Sequence, residues 1–296
     1  MKNRKHIVCL IIALVLLLTA CGNAAPAASQ PTAPAATVPA PSVPETTEAN
    51  QPPQETRTVL QTMTTEVFMG DMVLVNRTDN IYDDQGLLCE TVNYSGETET
   101  FRTVFENDEH GEVLRQTADM GGVLQVTDSE NTYDESGNLI KKVDTVSMNG
   151  TVTDIREYNF NADHKHTSCT FTTMGDPNQV ITITYEYDDQ GREILETQEN
   201  TMGGRQQTET QYNENGQVSK LIYRDAAGEI TGYSEVIFQE DGTEKQLSYA
   251  PDGTPSPSYT VIARNKQGNI LTQETYTGDT LTMRLTMTYI TVPAFK

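Results

Sequence analysis

"YDESGNLIKKV", residues 133–143, decides the fold, because the chain paraphrases it: "YDDQGLL" from Tyr82, "YDDQGREI" from Tyr187, "YNENGQV" from Tyr212. An Asp or Asn opening a type I turn bonds forward to the backbone through its side chain. The fourth position then needs a positive φ, which Gly adopts without steric penalty. A type I turn closed by such a residue is a common three-residue connection between antiparallel strands. Each phrase therefore reads as a point where the chain doubles back.

The Gly of each phrase marks a period. The markers are Gly86, Gly111, Gly137, Gly191, Gly216, Gly242 and Gly268, with His164 filling the gap, at spacings of 25, 26, 27, 27, 25, 26 and 26. Gly is only 20 of 296 residues, so this even stepping is a repeat and not chance. His164 is tolerable at the marker because His is among the non-Gly residues enriched at positive φ. Four positions before the marker stand Tyr82, Tyr133, Phe160, Tyr187, Tyr212 and Phe238, with Asn107 and Arg264 as exceptions. Position −8 favours Thr or Ser, so aromatic and hydroxyl residues share one face of the incoming strand.

A second, looser turn is expected 10 to 13 residues after each marker, at Gly96, Gly121, Gly150, Gly175, Gly203, Gly228, Gly253 and Gly278, with Gly70 as a leading half-unit. The fold class is therefore all-β. About 18 short strands, two per ~26-residue unit, form a repetitive antiparallel meander between Val59 and Thr291. One unit has no core of its own, so neighbours must stack. A flat sheet of that many strands is unusual, because twist accumulates. A curled sheet or partial barrel is expected, its apolar face supplied by position +2 (Leu88, Val113, Leu139, Val218, Ile270).

"YDDQGREI" and "YDESGNLIKKV" resemble the YD repeats of the Rhs and teneurin-like family, over about 215 residues from Tyr82 to the C-terminus. In that family long arrays coil into a β-shell that encloses a toxin or mediates adhesion. The resemblance implies the strand grammar. This chain departs from the family in being short, in carrying a leader and in having no C-terminal effector domain, so toxin delivery is not expected.

The N-terminus reads as a targeting segment. A basic "MKNRKH" precedes the apolar run Ile7 to Leu18, whose twelve residues fall short of the ~20 a bilayer span needs. "LTACG", Leu18 to Gly22, resembles the lipobox of bacterial lipoproteins. That implies a signal peptide over 1–20, cleavage between Ala20 and Cys21, and a diacylglyceryl thioether with palmitate-type chains on Cys21. Two or more acyl chains anchor a protein stably. Residues 21–58 then form a linker rich in Pro, Ala and Thr that cannot bury enough surface to order itself. It reads as a disordered tether, and residues 59–296 as the repeat domain.

With Lys2, Arg4 and Lys5 gone, 17 basic residues face 42 acidic ones, a net charge of −25. Such a surface repels phosphate backbones, so no nucleic acid is expected. Cys89 and Cys169 remain as two thiols about six strands apart, roughly 29 Å, too far to bridge.

Motifs for chemistry are few. "DHKHTSC", Asp163 to Cys169, offers His164, His166 and Cys169 as zinc-type ligands, yet His164 stands in for a turn Gly and no partner cluster is visible. The acidic turns lack EF-hand spacing. There is no G-x-S-x-G, no H-E-x-x-H and no phosphate loop. No metal, no cofactor and no catalytic residue is expected.

The resulting expectation is a non-enzymatic lipoprotein, lipid-anchored to a bacterial membrane and exposed on its outer side. Its repeat array would bind an extracellular glycan or protein. The alternatives are a carrier of a lipid or hydrophobic ligand, motivated by Met283 and Met287 in the last strand, and a passive spacer.

Overall fold

The computed structural model describes residues 55–173 and 179–295. These form eighteen β-strands and no helix, numbered β1 to β18 in chain order. The signal peptide, Ala20, Cys21, nearly all of the linker and Gly175 lie outside the described residues. The first strand, β1 (Thr56–Met69), opens three residues before the expected Val59.

Every strand pairs antiparallel with the next, beginning with β1 and β2 (Met72–Tyr82). The last strand, β18 (Thr280–Pro293), then pairs back onto β1, from Thr56↔Pro293 to Val67↔Met283. The ring is therefore a closed barrel, which answers the expectation of a curled sheet or partial barrel. Closure abolishes free strand edges, which would otherwise template aggregation. β1 and β18 are also the longest strands, 14 residues each. The apolar alternation of β18 serves this seam, with Met287 opposite Met63, Leu285 opposite Thr65 and Tyr289 opposite Leu60.

The marker turns form as their chemistry dictates. At the first, the Gly86 amide donates to the Asp83 carbonyl at 3.0 Å and the Asp83 amide to the Leu87 carbonyl at 2.9 Å. One Asp83 carboxylate oxygen accepts from the Gln85 and Leu87 amides, both at 2.9 Å. Gly86 sits at φ +80°, and His164 takes the same conformation at φ +58°. Gln239 keeps the backbone bonds to Thr243 and Gly242 without an Asx side chain, and Asp241 caps the Thr243 amide instead.

The second turns are not looser, as the sequence suggested. Gly121–Gly122 and Asn149–Gly150 are two-residue turns with both central residues at positive φ, the type I′ requirement. Asn200–Gly203, Asp225–Gly228 and Ala250–Gly253 repeat the backbone bonding of the marker turn. Hairpin twist favours these tight connections at both ends of a strand.

The recurrent tyrosine has a specific task. After seven of the eight markers position +3 is a β-bulge, as where Tyr82 faces Leu88 but Ile81 faces Glu90, with Cys89 left over. The ladder to the following strand stops at position +4, which leaves the +2 carbonyl without a backbone partner. The aromatic of the next unit supplies one. Tyr187 donates to the His166 carbonyl at 2.8 Å, Tyr212 to that of Glu193 at 2.7 Å and Tyr289 to that of Ile270 at 2.9 Å. A buried carbonyl left unpaired would cost about 1–3 kcal/mol.

Strand pairing sorts side chains onto two faces. The tyrosine face carries Leu139, Val146, Cys169 and Leu285, all buried, along with Ser129, whose hydroxyl donates to Asp144 at 2.7 Å. The opposite face carries ion pairs, among them Lys141–Glu157 at 2.9 Å and Arg284–Glu274 at 2.8 Å. Cys89 is itself a bulge residue, its thiol 3.4 Å from the Ile81 carbonyl, whereas Cys169 lies beyond a bulge on the tyrosine face. Both are free thiols.

Candidate binding cleft

Two neighbouring hairpins build a recess at the end of the barrel that carries the second turns. One is β11 (Glu193–Asn200) with β12 (Arg205–Tyr212); the other is β13 (Val218–Arg224) with β14 (Ile230–Phe238). Within the first, pairing continues out to Glu199↔Arg205. Between the hairpins, β12 and β13 pair only as far as Gln207↔Arg224. Beyond that pair the two hairpin ends diverge, and a cleft of about 500 Å³ opens between them. A bulge at Thr231, where Tyr223 faces Gly232 but Arg224 faces Ile230, bends β14 at the same level.

The lining is polar and mostly tied down. Arg205 pairs with Glu199 at 3.0 Å. Arg224 donates to Glu209 at 3.3 Å and to the Gly228 carbonyl at 3.2 Å. A hydrogen bond from Gln211, and after it Arg224, holds the Glu209 carboxyl below its ordinary range. Asp225 accepts from the Ala227 and Glu229 amides, which fixes its turn. Asn200 accepts from the Met202 and Gly204 amides in the same way. Gln207 donates to the Thr197 hydroxyl at 3.1 Å.

Two carboxamides of the lining are not tied down. Gln198 and Gln206 face each other across the β11–β12 ladder and line the cleft, and neither side chain makes a hydrogen bond among the described residues. Tyr223 stands beside them, its hydroxyl 3.3 Å from Ser234. Directly opposite Tyr223 lies Gly232, which is buried. A Cβ there would sit 2.9 Å from the Tyr249 carbonyl oxygen, so the position excludes a side chain.

The residues singled out from the sequence lie elsewhere. The marker glycines Gly86, Gly111, Gly137, Gly191, Gly216, Gly242 and Gly268 all have positive φ and hold turns at the other end of the barrel. In the "DHKHTSC" segment, Asp163 and His164 are exposed in the turn. His166 instead packs on the tyrosine face, 4.6 Å from Phe160 and 5.8 Å from Tyr158 between ring centres, and burial lowers its pKa. Among the described residues no three His, Cys, Asp or Glu side chains converge as a metal-binding set. Sequence reading missed Gln198, Gln206 and Tyr223. The available signal was that "NTMG" and "DAAG" copy the marker grammar, which makes the two flanking hairpins equal in build.

No family model matches this chain, and no curated protein does. Among solved structures, a porin-like protein from Bacteroides uniformis is similar over 78% of this chain and 96% of its own, at 9% identity and a TM-score of 0.30. TcdB2-TccC3-TEV matches over 72% of this chain and 15% of its own, at 12% identity and a TM-score of 0.24. An exported protein with a YmcC-like fold from Bacteroides fragilis matches over 76% and 93%, at 11% identity and a TM-score of 0.14. Similarity at these levels carries no conclusion about what this chain binds.

Proposed function

We propose that this chain is a lipid-anchored, extracytoplasmic binding module that holds an extracellular glycan or protein ligand without transforming it. The observation that carries the reading is the cleft between the two hairpins. Its charged groups, Arg205, Arg224 and Asp225, are each held in a structural bond, which suits holding a ligand better than moving protons. The sequence supplies the remaining support: the basic leader, the lipobox ending at Cys21, and a Pro-rich tether of the length needed to carry a domain away from a bilayer.

A barrel that itself spanned the bilayer would need an outward apolar band about 25 Å tall. Both faces of this one carry charge instead: Arg102, Glu99 and Arg284 on one, Lys142, Asp144 and Glu193 on the other. Acylation at Cys21 is therefore the membrane attachment proposed. Met283 and Met287, the motive for the carrier alternative, lie in the seam opposite Val67 and Met63. The acidic surface disfavours nucleic acid as a partner.

Two measurements test the reading together. Cells expressing the full chain are labelled with an alkyne analogue of palmitate, and the purified mature protein is screened against glycan and envelope-protein arrays. Label that incorporates and disappears in Cys21→Ser, with at least one saturable ligand, is the expected result. Label that persists in Cys21→Ser, or arrays without a ligand, would overturn the corresponding half.

A further inference from the structure

We propose that the cleft between hairpins β11–β12 and β13–β14 is a binding site for a short neutral saccharide, with Gln198 and Gln206 as hydrogen-bonding groups and Tyr223 as the platform for a sugar ring. This rests on the binding-module reading and gives it a place and a ligand class.

The free carboxamides argue first. Each offers two donor hydrogens and an acceptor oxygen. Because Gln198 and Gln206 are directly paired across the ladder, they present that mixed set side by side. Neighbouring hydroxyls on a pyranose both donate and accept, so they match such a pair. Wholly donor or wholly acceptor ligands do not.

The charges exclude other classes. An anion would compete with Glu199 for Arg205 and with Glu209 for Arg224. It would also approach a chain of formal net charge −22. A cation would meet the two guanidinium groups at close range, while the Asp225 carboxylate already serves two amides. An apolar ligand would strip water from amides, hydroxyls and guanidinium groups without replacing its hydrogen bonds, at a cost of about 1–3 kcal/mol per group. Ala226 is the sole aliphatic side chain in the lining.

The shape fits as well. A volume of about 500 Å³ lies within the ~300–1,000 Å³ of sites that enclose small ligands. Tyr223 lines the cleft, where its ring can meet the C–H face of a sugar. Aromatic side chains with one polar tip suit such half-apolar partners.

The test uses the mature full-length protein and a panel of neutral oligosaccharides (cello-, malto-, chito- and manno-series) beside uronate-containing and phosphorylated ones, with isothermal titration on every hit. Saturable binding of a neutral series is expected, weakened at least tenfold in Gln198→Ala/Gln206→Ala with the thermal midpoint unchanged. Tyr223→Phe keeps the ring and should bind almost normally. Tyr223→Leu should lose binding, and its circular dichroism verifies folding. Should the double variant bind as tightly as the parent, or only acidic saccharides bind, the proposal is overturned. If a protein ligand binds and ignores the cleft variants, this site fails while the binding-module reading stands. If nothing on either array binds, both fall.

Discussion

The Asn107 side-chain amide donates to the Leu88 carbonyl at 3.0 Å, the place that a tyrosine hydroxyl occupies in other units of the barrel. Asn107 breaks the aromatic rule at position −4, yet it does the same work. The repeat therefore selects for a donor of sufficient reach toward the carbonyl stranded by the preceding bulge. Aromatic character is secondary.

Removing that donor should be measurable. Tyr212→Phe leaves the Glu193 carbonyl without its 2.7 Å partner and should destabilise the fold by about 1–2 kcal/mol in urea titration. Phe238 stands at the same repeat position and has no hydroxyl to offer the Val218 carbonyl, so Phe238→Tyr should stabilise by about 0.5–1 kcal/mol. If both substitutions are neutral, the hydroxyl has no such role.

The marker glycines should differ in tolerance according to their surroundings. At Gly242 (φ +85°) an added Cβ meets nothing within 4 Å, so Gly242→Ala suffers backbone strain alone, about 1–2 kcal/mol. At Gly86 the same atom would lie 2.1 Å from the Pro293 carbonyl oxygen, at the seam where the ring closes. Gly86→Ala should therefore lose a further ~1–3 kcal/mol. Equal thermal midpoints for the two variants would show that the seam does not close as described.

The thiols should react at very different rates. Burial pushes the Cys169 thiol up to about 12, with a smaller contribution from the Asp144 charge. The thiolate is the reactive form, so Cys169 should be inert in the native protein at pH 8. Cys89 is raised too, by desolvation first and by Asp83 next, but it is far more accessible. Ellman's reagent should titrate Cys89 slowly in the native state and both thiols after unfolding. Rapid native titration of both would contradict the buried position of Cys169.

Stability should peak in mild acid. Glu193 and Glu196 are half-buried on the tyrosine face, and desolvation raises both carboxyls, Glu193 further through the charge of Glu196. A raised carboxyl contributes stability below its unfolded pKa and loses it as pH rises through the folded value, from about 4.5 upward. Asp134 and Asp188 are shifted the other way, by turn amides and by Asn138 and Arg192 respectively, so their contribution holds above about 3.8 and fades below it. The thermal midpoint should therefore be highest near pH 4. Glu193→Gln/Glu196→Gln should raise it at pH 8 and leave it unchanged at pH 4; the same gain at both pH values would refute this account.

Local chemistry alone determined where the chain reverses. Asp83, Asn161 and Asn213 bond to amides two and four residues ahead, and a residue at positive φ completes each turn. Such interactions span five residues, so they are legible in the sequence, including His164 as a left-handed substitute. The eighteen strands and their antiparallel order follow from them. Three features required the tertiary structure. Closure depends on β1 meeting β18, more than two hundred residues away, and no local pattern encodes a twist that returns on itself. The partner of each tyrosine is a carbonyl about 20 residues back, stranded by a bulge that adds a residue without a composition signal of its own. The cleft arises where the β12–β13 ladder ends at Gln207↔Arg224 while β11 and β12 remain paired, a difference in register that only the packed strands decide.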